Sequence, residues 1–259
     1  MEQQAAAART VAHTRAPPYG AAITQSTLLS DPTPSTERMK MLFLVRHAES
    51  IENATKYTGF YANPRPWTGP AAHALSRDVV GLTPRGFLQC LWLGKTLLEL
   101  TGPDPLIHTS QYRRARDTAV LALPARPYEV TALLNEQHYG AATYMTKEEL
   151  YATYPEGTQD RQTRKHLWTP PGADGESLAC GVLRRATAFV DSLHTASAVD
   201  VVAFTHHTTI LALRAVLERR PVTELVDEAR VCKTPNAAIL VYEQADGLFH
   251  TRGTVQPVC

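Results

Sequence analysis

Two apolar runs that each end in histidine constrain this chain more than any other feature. The first, Leu42-Phe43-Leu44-Val45, leads into Arg46-His47-Ala48-Glu49-Ser50. The second, Val201-Val202-Ala203-Phe204, leads into Thr205-His206-His207. A short apolar run without alternation fits a strand buried on both faces, which a sheet needs helices on both sides to provide. Parallel strands deliver whatever follows their carboxyl ends to one edge, where open α/β sheets hold their ligands. The two histidines can therefore meet.

The pattern between and after these runs supports an α/β chain. Thr83-Pro84 predicts an N-cap and a first helical position. Phe87, Leu91, Leu97 and Leu98 then recur at helical spacing until Gly102-Pro103. Pro105–Thr109 reads as a short strand and Arg113 to Leu123 as a helix. Lys147–Tyr154, Glu176–Leu193 and Thr208–Glu218 read as further helices. Ala237–Tyr242 and Leu248–Thr254 read as a closing antiparallel pair around Ala245-Asp246-Gly247. Residues 62–81 hold Pro64, Pro66, Trp67, Gly69 and Pro70 without periodicity, so we expect an inserted loop that can serve as a lid. Residues 1–38 are rich in Ala, Thr, Ser and Pro, which predicts a disordered extension preceding a single domain at 39–259. Arg9 and Arg15 among few acids also fit an organelle-targeting segment.

Composition removes several function classes. The net charge is +1 among 259 residues, so no global field recruits nucleic acid or a membrane surface. No apolar run approaches the roughly 18 residues a span needs. Cys90, Cys180, Cys232 and Cys259 lack C-x-x-C spacing and read as reduced thiols in a cytoplasmic setting.

The residues expected at the sheet edge suit phosphoryl chemistry. The first strand delivers Arg46, His47, Glu49, Ser50 and Asn53. The second delivers Ser110, with Arg113 and Arg114 opening a helix. The third delivers Thr205, His206 and His207. Guanidinium groups and helix starts bind tetrahedral anions. A neutral imidazole whose other nitrogen is pinned is a competent nucleophile. The leaving alkoxide needs a proton, and Glu136, in Leu133-Leu134-Asn135-Glu136-Gln137-His138-Tyr139-Gly140, is the candidate acid. A P-loop does not fit, because Gln89 occupies the glycine position five before Gly94-Lys95-Thr96. A cysteine phosphatase does not fit either, since Cys180 is too close to Arg184 and Arg185. His206-His207 has no further ligand at metal-binding spacing, so no metal is expected.

These residues resemble the histidine phosphatase superfamily from about Met41 to Tyr242. Leu44-Val45-Arg46-His47-Ala48-Glu49-Ser50 resembles its Arg-His-Gly signature, with Ala48 at the glycine. Thr109-Ser110-Gln111-Tyr112-Arg113-Arg114-Ala115 resembles its second motif. The resemblance implies a three-layer αβα fold with a mostly parallel six-stranded sheet, phosphoglycerate mutase-like and without metal. It implies that His47 carries the phosphoryl group, that Arg46 and Arg114 bind it, that Glu136 donates the proton and that His206 stabilises transfer. His207 is read as a further phosphate contact. Asn53, Thr58, Gly59, Tyr139, Lys147 and Arg164 are read as substrate contacts.

Within the family two readings stand. Tyr57-Thr58-Gly59-Phe60-Tyr61 and Asn135-Glu136-Gln137-His138-Tyr139-Gly140 resemble the mutases, which would need 2,3-bisphosphoglycerate as cofactor. Gln137, however, replaces a mutase arginine, and His207 replaces a glycine. Met145-Thr146-Lys147-Glu148-Glu149-Leu150 and Tyr154-Pro155-Glu156 resemble the bisphosphatases at least as well. A charge-assisted contact contributes about 1.5–3 kcal/mol, so losing one weakens retention of a second phosphate. The expectation is therefore a cofactor-free phosphatase of a small phosphorylated metabolite, with mutase as the alternative and a non-catalytic phospho-ligand binder behind both.

Overall fold

The structure, a computed structural model, describes residues 40–55, 72–194 and 199–257. The expectations for residues 1–38, for Thr58 and Gly59, and for the loop up to residue 71 lie outside the described residues.

The elements run β1 (Met41–Arg46), α1 (Ile51–Thr55), α2 (Ala72–Ala74, continuing as one π-helical turn over Leu75–Val79), α3 (Pro84–Leu100), β2 (Leu106–Thr109), α4 (Arg113–Ala122) and β3 (Glu129–Val130). They continue with α5 (Lys147–Thr153), α6 (Thr158–Thr163), a π-helical turn over Leu178–Val182 leading into α7 (Leu183–His194), β4 (Val201–Thr205), α8 (His207–Leu217), α9 (Val222–Val231), β5 (Ile239–Ala245) and β6 (Leu248–Val255). The six strands form one sheet in the order β3-β2-β4-β1-β5-β6. Three neighbouring pairs are parallel and two, β1–β5 and β5–β6, antiparallel.

Both faces of the central strands are covered. Leu42 and Leu44 of β1 and Val201 and Ala203 of β4 face one core with Phe189 of α7 and Ile210 and Leu213 of α8. Phe43, Val45, Val202 and Phe204 face the other, with Leu93 and Leu97 of α3 and Ala119 and Ala122 of α4. Each fully buried Leu, Val or Phe side chain contributes about 1.5–3 kcal/mol, so the period-two split of β1 and β4 between two cores fixes their register. Among the described residues no helix is long and apolar enough to cross a membrane.

Two sequence expectations need correction. Residues 72–79 are helical rather than loop. The segment carries no apolar period because its length is about two turns and its π turn breaks the 3.6-residue repeat. In α3 the N-cap is as expected, Thr83 accepting from Gly86 N at 3.0 Å. Its buried face, however, is Gly86, Cys90, Leu93, Gly94 and Leu97. Phe87, Leu91 and Leu98 are exposed. Small residues take the buried face because α3 lies close to neighbouring backbone: a Cβ at Gly94 would stand 2.5 Å from Ala122 O. Gly94→Ala is therefore expected to destabilise the fold by about 1–3 kcal/mol despite its better helix propensity. Urea denaturation checks this: the midpoint falls with an unchanged slope, whereas a higher midpoint would mean the helices separate freely.

Candidate active site

The parallel ladder sets the site's position. Arg46 pairs with Thr205, and Thr109 with Phe204. The hydrogen bonding runs one residue further on each side, with His47 N donating to Thr205 O at 2.9 Å and Ser110 N to Phe204 O at 3.1 Å. His47, Ser110 and His206 are thereby brought to one sheet edge. The imidazole centroids of His47 and His206 lie 5.0 Å apart.

Hydrogen bonding fixes the state of His47. Its Nδ1 lies 2.7 Å from Ala48 O. A carbonyl only accepts, so Nδ1 carries the proton and Nε2 keeps its lone pair. Arg114 Nε donates to that Nε2 at 3.3 Å. Burial, then the charges of Arg114 and Arg46, hold the His47 pKa well below 6.5, so the ring is neutral. His206 is held low by burial first and then by Arg114, His47 and Arg46. Its Nε2 lies 2.7 Å from Ser110 Oγ, which also accepts from Tyr112 N at 3.1 Å. Its Nδ1 is buried with no protein partner among the described residues. Arg46 Nε is likewise unpartnered, while its other end donates to Thr234 O. Burial brings the Arg46 pKa down to about 10, partly offset by Glu136, so it stays cationic at neutral pH. A neutral nucleophilic nitrogen thus stands among two guanidiniums and an unsatisfied imidazole nitrogen, the arrangement a phosphoryl dianion would complete.

The buried neutral imidazoles link stability to acid. Between their low folded values and the ordinary 6.5, the unfolded chain binds protons that the fold does not. Their contribution is full above about pH 6.5 and declines as pH falls below it. Urea titrations at pH 7.5 and 5.5 check this: His206→Gln is expected to flatten the pH dependence, and an unchanged slope would contradict the buried neutral state.

Arg114 is only 4 % exposed although cationic. It donates to Ser76 O at 2.9 Å, stands 3.6 Å from Glu52 Oε2 and lies 4.6 Å from the centre of the Tyr112 ring. Glu52 also accepts from Ser76 Oγ at 3.2 Å and Tyr144 OH at 3.3 Å. Sequence reasoning missed Glu52 and Ser76. They carry no motif, and they meet Arg114 from 62 and 38 positions away in the chain.

A cavity of about 870 Å³ opens on the Glu136 side, lined also by Tyr112, His73, His138, Arg77 and Arg185. Tyr112 joins it to the imidazole pair by contact, its ring meeting that of His206 edge-on at 4.8 Å. His47, Arg46, Arg114 and His206 are absent from its lining. His73 and His138 stack at 3.5 Å between α2 and the Glu136 loop. Burial, then His138 and Arg77, bring the His73 pKa down to about 4.

The remaining expected residues are placed differently. Asn53 Oδ1 accepts from Ser50 N, Ser50 Oγ and Asn236 Nδ2, tying α1 to the end of β1. Tyr139 packs beside Trp168, outside the cavity lining. Lys147 is exposed at the start of α5, and Arg164 is held by Asp160 at 3.0 and 2.6 Å. Neither lines this cavity: Lys147 opens α5 and Arg164 follows the end of α6. His207 opens α8, half-buried and likewise outside the lining. Gln137 is buried, its amide donating to Glu176 O at 2.7 Å. Among the described residues no three His, Cys, Asp or Glu side chains cluster as metal ligands.

Comparison with known proteins agrees with this geometry. A 2,3-bisphosphoglycerate-dependent phosphoglycerate mutase 2 of Gloeobacter violaceus is 29% identical over 221 residues, covering 82% of this chain and 89% of that protein. The phosphoserine phosphatase of Entamoeba histolytica, solved with 3-phosphoglyceric acid, superposes with a TM-score of 0.64 at 17% identity, over 85% of this chain and 98% of that one. The alpha-ribazole phosphatase of Shigella flexneri gives 0.63 at 18% identity, over 82% and 95%. At those identities the two structures establish the fold. The profile of the histidine phosphatase superfamily (branch 1) matches residues 42–254, and with the sheet order and the edge cluster it places this chain in that superfamily.

Proposed function

We propose that this chain is a phosphomonoesterase working through a phosphohistidine on His47. The single observation that carries the reading is the pinned, neutral imidazole whose free Nε2 meets Arg114. The ester's phosphoryl oxygens are bound by Arg46, Arg114 and His206. Nε2 attacks phosphorus as the P–O bond to the alcohol breaks, and protonated Glu136 transfers its proton to the departing oxygen. Water then attacks the phosphorus, the N–P bond breaks, and the carboxylate of Glu136 takes the water's proton. Free enzyme and inorganic phosphate result. Positioning and charge compensation are what such a transfer needs, and no cofactor enters these steps.

Hydrolysis is favoured over mutase chemistry by the surroundings of Glu136. Gln137 offers a neutral amide already engaged with Glu176, and Lys147 and Arg164 stand off the cavity. Of the three arginines that line the cavity, Arg77 is paired with Asp78 and Arg185 with Glu176, which reduces the cationic capacity for holding a doubly phosphorylated intermediate. The substrate is read as a small phosphorylated metabolite whose alcohol portion fits the cavity beside Glu136. The free cysteines Cys90, Cys180 and Cys232 fit a cytoplasmic setting for it. A metabolite panel scored for inorganic phosphate and for 2-/3-phosphoglycerate interconversion, with and without 2,3-bisphosphoglycerate, tests the reading. Phosphate release without interconversion is expected. Interconversion primed by the bisphosphate would overturn it.

A further inference from the structure

Glu136 does not hold itself in place. It lies on a segment without regular structure between residues 135 and 139. Its Oε1 accepts from the neighbouring Gln137 N at 2.9 Å, and among the described residues its Oε2 has only a long 3.5 Å hydrogen bond from Thr208 N. A carboxylate so lightly tethered is positioned by its backbone.

That backbone is gripped from both sides. Before Glu136, Leu134 O accepts from Thr205 Oγ1 at 2.7 Å, and Asn135 O from Thr209 Oγ1 at 2.6 Å. One nitrogen of Arg185 reaches Leu133 O and Asn135 O at 3.0 Å each and Ala132 O at 3.2 Å. After Glu136, Glu176 N donates to His138 O at 3.0 Å, and Glu176 O accepts from Gln137. The two grips are one unit. Arg185 Nε and its second terminal nitrogen donate to the two Glu176 oxygens at 2.8 and 2.7 Å. Gly181 presses on it: a Cβ there would stand 2.0 Å from Glu176 Cγ. The planar fork of arginine suits this double duty, and lysine, a point charge, does not.

We propose that the Arg185–Glu176 pair is the positioning device for the proton donor, setting Glu136 at the departing oxygen. The inference rests on the phosphatase reading above. Neither residue needs to touch the phosphoryl group, although both line the cavity beside Glu136, so losing the pair should slow the two steps that use Glu136, protonation of the leaving group and deprotonation of the attacking water. A misplacement of about 1 Å can cost about 100-fold.

The test uses the full chain with p-nitrophenyl phosphate, whose leaving group departs without help, and β-glycerophosphate, whose alkoxide requires a proton. In the first turnover, before hydrolysis of the phosphohistidine contributes, Arg185→Met should slow phosphorylation by β-glycerophosphate about 10- to 100-fold and by the aryl ester no more than about threefold. Arg185→Lys should recover only part of the loss. Breaking a buried pair is destabilising, so Glu176→Gln, which keeps shape and an acceptor oxygen, provides a second variant with the same expected contrast. Equal first-turnover losses on both esters in a folded variant, or full recovery by lysine, would overturn the proposal. Failure of the unaltered chain to hydrolyse either ester would overturn the phosphatase reading and this inference with it.

Discussion

Replacing His47 with alanine is expected to lower phosphate release from any ester by about 10⁴-fold or more, while the chain stays folded. The magnitude follows from what the ring does. Removing a nucleophile leaves only binding and electrostatic stabilisation, and the deficits measured in comparable sites reach about 10⁶-fold. The fold should tolerate the loss because the His47 ring holds little of the surrounding structure. Its hydrogen bonds are a local one to Ala48 O and a 3.3 Å contact from Arg114. The backbone of His47 is anchored separately, through its N–H to Thr205 O and by Asn236 Nδ2 on its carbonyl. Steady-state assays with a denaturation control check this. A folded variant retaining a tenth of the activity would mean the phosphoryl group never visits this ring.

The second large effect is expected at Glu136. Glu136→Gln removes the transferable proton but keeps the shape and the contact with Gln137 N. We expect kcat for β-glycerophosphate to fall about 10²- to 10⁴-fold, the range a positioned acid contributes. p-Nitrophenyl phosphate should lose far less in the phosphorylation step, because its leaving group is stable as an anion. Rapid-mixing measurement of the first turnover isolates that step from hydrolysis, where the same carboxylate serves as base. Equal losses in first-turnover rate for both esters would assign Glu136 a role in binding instead. The cavity beside Glu136 suits the acid role, since it is the alcohol portion of an ester that must lie there.

How much of this was legible in the chain depends on whether the signal is local. Arg46-His47 and His206 follow apolar runs that allow only a doubly covered strand, so the sheet edge and its chemistry can be read together. Arg114 is legible through its place at a helix start. The cap at Thr83 is legible because capping is decided within three residues. The face of α3 was not, because the reading weighted large apolar residues, whereas close packing against Ala122 O required glycine. The helix α9 was overlooked because its buried side is only Leu225 and Ala229. Glu52, Ser76, Glu176 and Arg185 stayed invisible for another reason. Their parts are played against residues 9 to 92 positions away, and only the folded chain sets those pairs side by side. For Lys147 and Arg164 the sequence does not disclose the surroundings: Arg164 is paired with Asp160 one turn earlier, and Lys147 is exposed.

The most direct measurement is to trap the covalent intermediate. The full chain is mixed with a ³²P-labelled ester, quenched within milliseconds in alkali, where phosphohistidine survives, and digested for peptide mapping. We predict label on the peptide containing His47, bound to Nε2, forming no more slowly than steady-state turnover. Label on another residue, or sustained turnover with no labelled peptide at all, would contradict the mechanism.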